Sequence, residues 1–296
     1  MKTLFFYVMH IISMLRCRKV MREAFDIKFK YEAAICAIAK WENEYLAEWI
    51  EHHLKIGFQH IFLVDNNDDD SIESLLKVYL QKGVLTIIPF RGIPHVQAQA
   101  YEYVTQFYGD NVKWMAYIDI DEFFCLKKHK SIVDLLKEYK DIPSISVNWM
   151  CYGANGQIYK KEGPVMERFP VPSNLEKSKR ANFAVKSISR PYVFNRIYDA
   201  SFRNVHRWSL PTFNEKRKIV YQNTHKPSYN KIVLNHYVTK SYEEYRQKRS
   251  RGSAMFVGDY HYDYEVFFAN ANDESMKNEI EQYERLRNGN VNKFIS

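Results

Sequence analysis

The sequence has few cysteines and none of the short motifs that identify many enzyme classes. The chain of 296 residues contains four cysteines, Cys17, Cys36, Cys125 and Cys151, whose spacing matches no metal-binding or redox pattern. It has no glycine-rich phosphate loop, no dinucleotide-binding glycine pattern and no serine nucleophile elbow. Cys36 lies in an apolar run and is expected to be a buried thiol, and the set as a whole indicates a reducing compartment.

The sequence also lacks a hydrophobic run long enough to cross a bilayer comfortably. Residues 4–15 are apolar but too few, and they are followed by Arg16, Arg18 and Lys19. No small-residue cleavage site follows before Arg16, which argues against a cleaved signal peptide. We interpret residues 1–30 as a separate apolar and basic segment, in which residues 1–20 either lie in the membrane interface or pack on the protein. A cytoplasmic protein is expected, peripheral on the inner face of the cell membrane in the first case.

The composition is that of a soluble globular protein with a basic charge balance. Hydrophobic residues make up 46% and charged residues 26% of the chain, and the net charge is +8. A basic balance favours anionic partners such as phosphates. The basic residues are scattered apart from a cluster at residues 246–251, and no zinc-finger or RNA-binding pattern is present. Nucleic acid is therefore not an expected partner.

Apolar strand patterns alternate with amphipathic helix patterns from residue 31 onward. The pattern predicts strands at residues 33–39, 60–64, 84–89, 114–118 and 145–149, and helices at residues 42–55, 70–80, 96–108 and 131–139. A capping-box pattern opens the second helix at Asp70. After Cys151 the chain is less regular, with helices expected again at residues 242–248 and 273–287. This alternation predicts an α/β fold with a mostly parallel sheet flanked by helices.

Carboxylates follow the fourth predicted strand directly. In open parallel sheets ligands bind at the carboxyl ends of strands, so Asp119, Asp121 and Glu122 stand where a ligand is expected. Clustered carboxylates repel one another, and Mg²⁺ or Mn²⁺ is a natural partner for their hard oxygen ligands. A solvated acidic turn is the alternative. The apolar pair Phe123-Phe124 behind the motif makes the metal site about equally plausible.

Several ordered segments together resemble glycosyltransferase family 92 and the related bacterial family 2-like transferases, over about residues 33–252. The matching segments are residues 40–53, Val64-Asp65-Asn66, residues 117–123, Trp149 with Gly153 and Gly156, residues 186–191, and His236-Tyr237 with Lys240-Ser241, Glu243-Glu244, Lys248 and Arg251-Gly252. Ordered motifs that agree are more specific than the acidic motif alone. One departure is Trp41, which stands where the family usually has asparagine.

The resemblance implies a GT-A (Rossmann-like) fold in one domain over residues 31–296. Residues 31–125 would form the nucleotide-binding half and residues 126–296 an irregular acceptor half. It also implies inverting transfer of a sugar from a UDP-sugar, UDP-galactose being the family-level expectation, to a glycan acceptor with Mn²⁺ or Mg²⁺. We expect this reaction to serve bacterial capsule or lipopolysaccharide synthesis.

The resemblance also assigns roles to individual residues. The nucleoside would lie near Lys40, Glu42, Asp65 and Asn66, the ribose, metal and diphosphate would be served by Asp119 and Asp121, and the diphosphate charge would be offset by Lys248 and Arg251. His236 is either a third metal ligand or a structural histidine. Trp149 and Gly153 would shape the acceptor side, with Trp149 as a stacking platform. Asp121 is the main catalytic candidate, and the base is open among Glu244, Asp259 and Asp263, with Glu244 retained as the catalytic prediction.

Two other functions are compatible with parts of the pattern. An aspartyl phosphatase carries its acidic motif after the first strand of the domain, whereas here it follows the fourth, so that class fits poorly. A non-catalytic nucleotide- or glycan-binding protein with the same fold stays open.

Overall fold

Strands and helices alternate along the first half of the chain, as the hydrophobic pattern predicts. The computed structural model describes residues 2–173, 182–197, 202–204, 207–208, 210–220, 226–251, 267 and 276–293. The strands are β1 Tyr31–Ala39, β2 His60–Asp65, β3 Leu85–Pro89, β4 Val112–Tyr117, β5 Glu122–Leu126, β6 Ser144–Cys151, β7 Val185–Ser189, β8 Phe202–Asn204, β9 Arg207–Trp208, β10 Thr212–Phe213 and β11 Ile232–His236. The helices are α1 Lys2–Glu23, α2 Asn43–Lys55, α3 Ser71–Leu75, α4 Lys77–Gln81, α5 Gln97–Tyr108, α6 Ile132–Leu136, α7 Val165–Arg168, α8 Pro191–Asn195, α9 Tyr242–Ser250 and α10 Lys277–Lys293.

Nine strands of the described residues form one sheet in the order β3-β2-β1-β4-β7-β6-β11-β5, with β10 also paired to β6. The strands β3, β2, β1 and β4 are parallel to one another along this order, and β10 and β11 are parallel to β6. Antiparallel pairing occurs at β7 and at β5. The predicted α/β class with a mostly parallel sheet is therefore confirmed.

The hydrophobic pattern did not predict β5, β7 or β11. Each is five residues long. Lys186 and Asn235 interrupt the apolar pattern of β7 and β11, and β5 begins directly at Glu122 of the acidic turn. β5 pairs with β11, and β7 pairs with β6. The sheet therefore contains strands from both sides of residue 125, the proposed boundary between the two halves of the chain. The functional division at residue 125 stays a prediction.

The first strand is buried on both faces, as its continuous apolar run predicts. One face of β1 packs with Trp49 of α2 and Leu135 of α6 in one apolar cluster. The other face, which includes Cys36, packs with Tyr101 of α5 and Val193 of α8 in a second cluster. Helices therefore pack on both faces of the sheet and support the edge at which the parallel strands end.

The predicted helix over residues 70–80 is wrong in detail. It is divided into α3 and α4 at Leu76, whose backbone (φ −102°, ψ 15°) leaves the helical range. Asp70 occupies the N-cap position of α3 but makes no side-chain cap hydrogen bond there. The nearby carboxylate of Asp69 instead accepts a hydrogen bond from the Ser71 backbone N–H (3.1 Å). The hydrogen bond from Ser71 to the Asp69 side chain has therefore replaced the expected N-cap hydrogen bond of Asp70.

Helix α1 is held to the protein at its carboxyl end. Cys17, Val20 and Ala24 are buried and belong to the second apolar cluster. Ile11 and Leu15 are exposed at 57% and 60%. Within the part of the chain that the structure describes, no helix combines the length and hydropathy required to cross a membrane.

Candidate active site

The acidic turn after β4 lies at the carboxyl end of the parallel strands. Asp119 and Asp121 follow β4 and lead into β5, which starts at Glu122. The backbone N–H of Tyr237 donates to the carbonyl of Asp121 (2.9 Å), which fixes the end of β11 beside this turn. The pairing brings His236, far away in the sequence, to the acidic motif.

The carboxylate of Asp121 is buried among basic side chains. Its Oδ2 lies 3.6 Å from His236 Nε2 and also contacts the ammonium of Lys248 on α9. Burial alone would raise the pKa of Asp121, but Lys248 and His236 outweigh burial and hold this pKa well below its usual range. Burial lowers the pKa of His236, and Asp121 opposes that effect. The three predicted site residues therefore form one cluster of a carboxylate, an imidazole and an ammonium.

The side chain of Asp119 is directed to other partners. It accepts hydrogen bonds from Lys186 Nζ (2.7 Å) and from Gln97 Nε2 (2.7 Å). Burial would lower the pKa of Lys186, but Asp119 and Glu122 outweigh burial and raise it. Glu122 also accepts a hydrogen bond from the Asp119 backbone N–H (2.9 Å) and so braces the turn. About a third of the Asp119 side chain (33%) stays exposed.

The expected three-ligand metal set of Asp119, Asp121 and His236 stays a prediction. Among the residues that the structure describes, no three His, Cys, Asp or Glu side chains are placed to hold one ion. The reason is that Lys186 and Gln97 hold Asp119. The remaining pair of Asp121 Oδ2 and His236 Nε2 offers an oxygen and a nitrogen donor close together. This pair fits Mg²⁺ or Mn²⁺, because such ions complete their shells with water and substrate phosphates.

A cleft of about 380 Å³ opens between the β1–α2 turn and α9. It is lined by Trp41, Glu42, Glu44, Tyr45, Lys240, Glu244, Gln247, Lys248, Ser250 and Arg251. Arg251 donates to the carbonyl oxygen of Lys40 and, through Nη2, to Glu42 Oε1 (2.8 Å). The predicted partners Glu42, Lys248 and Arg251 thus line one cleft, and Arg251 ties the backbone of Lys40 to it.

The predicted nucleoside residues Asp65 and Asn66 have structural partners instead. Asp65 ends β2, is fully buried, and accepts a hydrogen bond from Arg91 Nε (2.8 Å). Asn66 Nδ2 donates to the carbonyls of Phe90 (2.7 Å) and Ile93 (2.9 Å). Neither side chain lines the cleft. Both hold the loop after β3. Their contact with the nucleoside stays a prediction.

Glu244, predicted as a catalytic base, is the centre of a buried network. Its carboxylate accepts hydrogen bonds from Arg168 Nη1 (2.9 Å) and Nη2 (2.8 Å), from Tyr45 Oη (2.7 Å) and from Ser241 Oγ (2.6 Å). Together with Ser241 it forms the capping box of α9. Burial opposes ionisation, yet Arg168 and Ser241 lower the pKa of Glu244 to about 2. A carboxylate so engaged is a poor proton acceptor at neutral pH, and the role of Glu244 as catalytic base stays a prediction. The other candidates, Asp259 and Asp263, lie outside the described residues, as does Gly252.

The predicted acceptor-side residues lie next to the Asp121 cluster but outside the cleft. The Trp149 ring centroid lies 4.2 Å from that of His236 and 6.0 Å from Lys186 Nζ. Trp149 therefore supports the histidine, and its role as a stacking platform stays a prediction. Gly153 is buried, and its carbonyl accepts a hydrogen bond from Asn155 Nδ2 (3.2 Å) in the turn after β6.

Three charged or aromatic residues of this region have no role predicted from the sequence. Lys186 is fully buried in β7, and its signal was a lysine inside an otherwise strand-like segment. Lys240 and Trp41 line the cleft. Both belonged to the segments that carry the resemblance, but their left-handed backbone conformations (φ 52° and 54°) are visible only in the structure.

Two solved structures align with most of this chain at low similarity. A crystal structure of S. aureus TarS 1-349 aligns with 83% of this chain and 73% of that chain, at 13% identity and a TM-score of 0.41. The mannosyltransferase PcManGT from Pyrobaculum calidifontis, in complex with GDP-Man and Mn²⁺, aligns with 84% of this chain and 70% of that chain, at 10% identity and a TM-score of 0.36. These similarities are too low to inform the site.

Relatives by sequence come from plants. The glycosyltransferase family 92 protein Os08g0121900 of Oryza sativa subsp. japonica is 26% identical over 243 residues, which are 78% of this chain and 37% of the relative. The glycosyltransferase family 92 protein RCOM_0530710 of Ricinus communis is 26% identical over 249 residues, 79% of this chain and 39% of the relative. The chain thus spans less than two fifths of the length of these relatives. The sequence model of glycosyltransferase family 92 matches residues 33–294, which include the acidic turn, the cleft and the end of β11. The chain belongs to glycosyltransferase family 92.

Proposed function

We propose that the protein transfers a sugar from a UDP-sugar to a glycan acceptor with the help of a divalent metal ion. The observation that carries this proposal is the cluster of Asp121, His236 and Lys248 at the carboxyl end of the sheet, whose member Lys248 also lines the cleft beside α9. A carboxylate and an imidazole next to an ammonium suit the binding of a metal and of phosphate oxygens together. Family membership makes a nucleotide-sugar donor the natural source of those phosphates.

In the proposed reaction an acceptor hydroxyl oxygen forms a bond to the anomeric carbon, and the bond from that carbon to the diphosphate oxygen breaks. A divalent ion held by Asp121 and His236 would neutralise charge on the leaving diphosphate. Lys248 and Arg251 stand on the same side of the cleft and add positive charge there. Asp119, held by Lys186 and Gln97, would serve the ribose. The proton of the acceptor hydroxyl passes to a base, and we propose an inverting course.

UDP-galactose is the donor to test first, and a glycan is the proposed acceptor class. The capsule or lipopolysaccharide setting stays a prediction from the sequence, since the relatives described above are plant proteins.

Helix α1 supports a proposal of peripheral contact with an anionic membrane through residues 1–20. Its exposed apolar side chains and its basic side chains lie away from the buried face that packs on the protein: Ile11, Ile12, Leu15, Arg16, Arg18 and Lys19. Apolar insertion together with attraction to anionic headgroups is the binding mode of interfacial helices. A place on the cytoplasmic face of the membrane follows as part of this proposal.

The test of the reaction is Asp121→Asn in a donor-hydrolysis screen with several UDP-sugars and Mn²⁺. We expect wild-type hydrolysis of at least one donor, loss of it in EDTA, recovery with Mn²⁺, and a loss of roughly 10²- to 10³-fold in the variant. Asp110→Asn removes a surface carboxylate that pairs with Arg196 and serves as the control. Wild-type turnover by Asp121→Asn in Mn²⁺ would refute the assignment. Tight UDP binding with no turnover by the wild type would favour a binding protein instead.

A further inference from the structure

The end of the sheet opposite the acidic turn carries a concentration of exposed basic side chains. Strand β5 ends there, and β6, β10 and β11 begin there. Two short turns lie at this end, the 127–130 turn after β5 and the 214–219 turn after β10. Their exposed cations are Lys127, Lys128, Lys130, Lys216, Arg217 and Lys218. Part of the net charge of +8 is therefore gathered on a surface that the proposed reaction does not use.

The two turns are held together through Glu138, which lies between α6 and β6. The Glu138 carboxylate pairs with His129 Nε2 (2.6 Å) and with Lys231 Nζ (2.5 Å). Its backbone carbonyl accepts a hydrogen bond from Arg217 Nη1 (2.8 Å). The backbone N–H of Lys127 donates to the carbonyl of Lys231 (2.8 Å) and so fixes the start of the 127–130 turn. The 127–130 and 214–219 turns therefore form one surface, which we call the basic face.

The 214–219 turn presents its charges from a fixed backbone. Asn214 Oδ1 accepts the backbone N–H groups of Lys216 and Lys218 (both 3.0 Å), and the Asn214 backbone N–H donates to the carbonyl of Lys218 (2.8 Å). Arg217 between them has a left-handed backbone (φ 60°). Three cations in sequence are thus held close together despite their repulsion and the strain of the turn, and an anionic partner would relieve the repulsion.

The basic face keeps an excess of positive charge. Three carboxylates beside it are already paired with cations: Glu138 as described above, Asp141 with Arg217 (2.5 Å) and Asp134 with Lys137 (2.9 Å). The exposed lysines at 128, 130, 216 and 218 add charge beyond those pairs. Such a surface attracts an anionic partner.

Helix α1 lies against the basic face. The ring of His10 packs against that of Phe213, where the 214–219 turn begins, with centroids 6.0 Å apart. The hydrogen bond from Arg217, together with the charges of Arg217 and Arg18, outweighs burial and lowers the pKa of Asp141. The charge of Arg18 in α1 therefore acts on the same carboxylate that holds the 214–219 turn.

Exposed apolar side chains accompany these cations. Ile11 and Leu15 of α1 are 57% and 60% exposed, and Phe25, between α1 and β1, is 86% exposed. β1 begins at the same end of the sheet as β6. Large apolar side chains beside lysines suit a lipid surface, where they enter between the headgroups, whereas a soluble polyanion offers them no apolar environment.

We propose that the basic face and α1 together dock on an anionic lipid surface, so that the candidate active site faces away from the bilayer. Docking in this way rests on the membrane contact proposed for α1, and the basic face supplies further cations that recognise the headgroups. β11 separates the basic face from His236 by five residues, or roughly 16 Å. A headgroup bound at the basic face is therefore remote from the cleft, and the docked protein takes its donor and acceptor from the aqueous side.

The experiment measures sedimentation of the full chain with vesicles of phosphatidylglycerol or of phosphatidylcholine. Lys216→Gln combined with Lys218→Gln removes two charges from one turn of the basic face. Lys128→Gln combined with Lys130→Gln removes two charges from the other. Because all four side chains are exposed, thermal unfolding of both double variants should match that of the wild type.

The matched control combines Lys77→Gln with Lys82→Gln. Both lysines are exposed and belong to α4 and its carboxyl end, beside β3 at the other edge of the sheet. This variant has the same net charge as the two double variants of the basic face. A difference between them therefore reports the position of the charges and not their number.

We expect the wild type to sediment with phosphatidylglycerol vesicles far more than with phosphatidylcholine vesicles. Each double variant of the basic face should weaken this binding by roughly 10- to 30-fold, since one cation near an anionic membrane contributes about 5-fold. The difference should disappear in 1 M salt, where the Debye length falls to about 3 Å. The control should bind within about 2-fold of the wild type, because its charges lie beyond that range of the membrane.

The orientation is tested with an environment-sensitive fluorophore on an introduced cysteine. Cys125 is first replaced by serine, because the other three cysteines are buried and Cys125 is partly exposed. With saturating phosphatidylglycerol vesicles, emission from the fluorophore at Lys218→Cys should shift to shorter wavelength. Emission from the fluorophore at Ser250→Cys, which lies on the cleft, should not shift.

Other results overturn the proposal. Wild-type binding by both double variants of the basic face does so, and loss of binding by Leu15→Glu alone would then leave the contact through α1 in place. Equal weakening by the control shows that overall charge sets the binding, and a shift at Ser250→Cys in place of Lys218→Cys overturns the orientation. Retention on dextran sulfate that depends on the basic face, with vesicle binding that does not, assigns this surface to a soluble polyanion. If the wild type does not bind phosphatidylglycerol vesicles, the membrane contact and this docking fail together, while donor hydrolysis tests the sugar transfer separately.

Discussion

Substitution of Glu244 by glutamine distinguishes a structural carboxylate from a catalytic one. The side chains of Glu244 and Arg168 are 2% and 7% exposed, so the substitution leaves a buried guanidinium facing a neutral amide. The pKa of Glu244 is lowered from 4.5 to about 2, which corresponds to about 3 kcal/mol in favour of the ionised folded state. Removal of one partner of a buried ion pair costs a similar 3–5 kcal/mol. We therefore expect Glu244→Gln to lose about 3 kcal/mol of unfolding free energy, or about 6–12 °C in melting temperature.

The assay is thermal and urea unfolding followed by circular dichroism, with donor hydrolysis measured on the folded fraction. The neighbour Glu243 accepts a hydrogen bond from the exposed Lys160 backbone N–H (2.9 Å), so Glu243→Gln is a matched control that should change stability by less than about 0.5 kcal/mol. Because folding lowers the pKa of Glu244, its contribution is complete above pH 4.5 and is lost as the pH falls toward 2. The difference between wild type and Glu244→Gln should shrink over that window. Unchanged stability together with abolished turnover would refute this reasoning and return Glu244 to the role of base.

Two further predictions concern the sheet-flanking helices and the N-terminal helix. At Gly57 (φ +102°) an added Cβ would lie 2.9 Å from Ser131 Cβ, so Gly57→Ala should lower the free energy of unfolding by about 2–4 kcal/mol in chemical denaturation. The control is Gly83→Ala (φ +68°), whose added Cβ meets no atom within 4 Å and should cost about 1 kcal/mol. Equal costs for the two variants would contradict the packing argument. The full chain should sediment with phosphatidylglycerol vesicles more than with phosphatidylcholine vesicles, and less so in high salt. Leu15→Glu should weaken this binding while Leu286→Glu, at a similarly exposed site (56%), should not; equal binding by both variants would refute the membrane contact.

The turn that carries the chemistry was predictable from the sequence because its signal is local. A run of apolar residues followed at once by Asp119 and Asp121 predicts carboxylates at a strand end, and the observed β4 ends at Tyr117. The gathering of Lys248 and Arg251 at that edge followed only from the resemblance. The ion pair of Asp119 with Lys186 was not predictable, since Lys186 comes from an antiparallel strand that its polar residues make hard to recognise in the sequence.

The same contrast applies to Glu244. Its spacing from Ser241 is a capping-box pattern that is readable in the sequence, but the engagement of its carboxylate depends on Arg168 and Tyr45, which approach from other elements. The backbone of Trp41 likewise depends on Asn67, which lies after the next strand.

By itself the sequence determined the α/β alternation, the strand buried on both faces and the position of the acidic turn, because each depends on the order of apolar and polar residues along a short segment. Only the tertiary structure decided which charges meet: Asp121 with His236 and Lys248, Asp119 with Lys186, and Glu244 with Arg168. Those pairings depend on strand order and on the ends of distant helices. Ion pairs act over a few ångströms, so they are fixed only when the fold has brought their elements together.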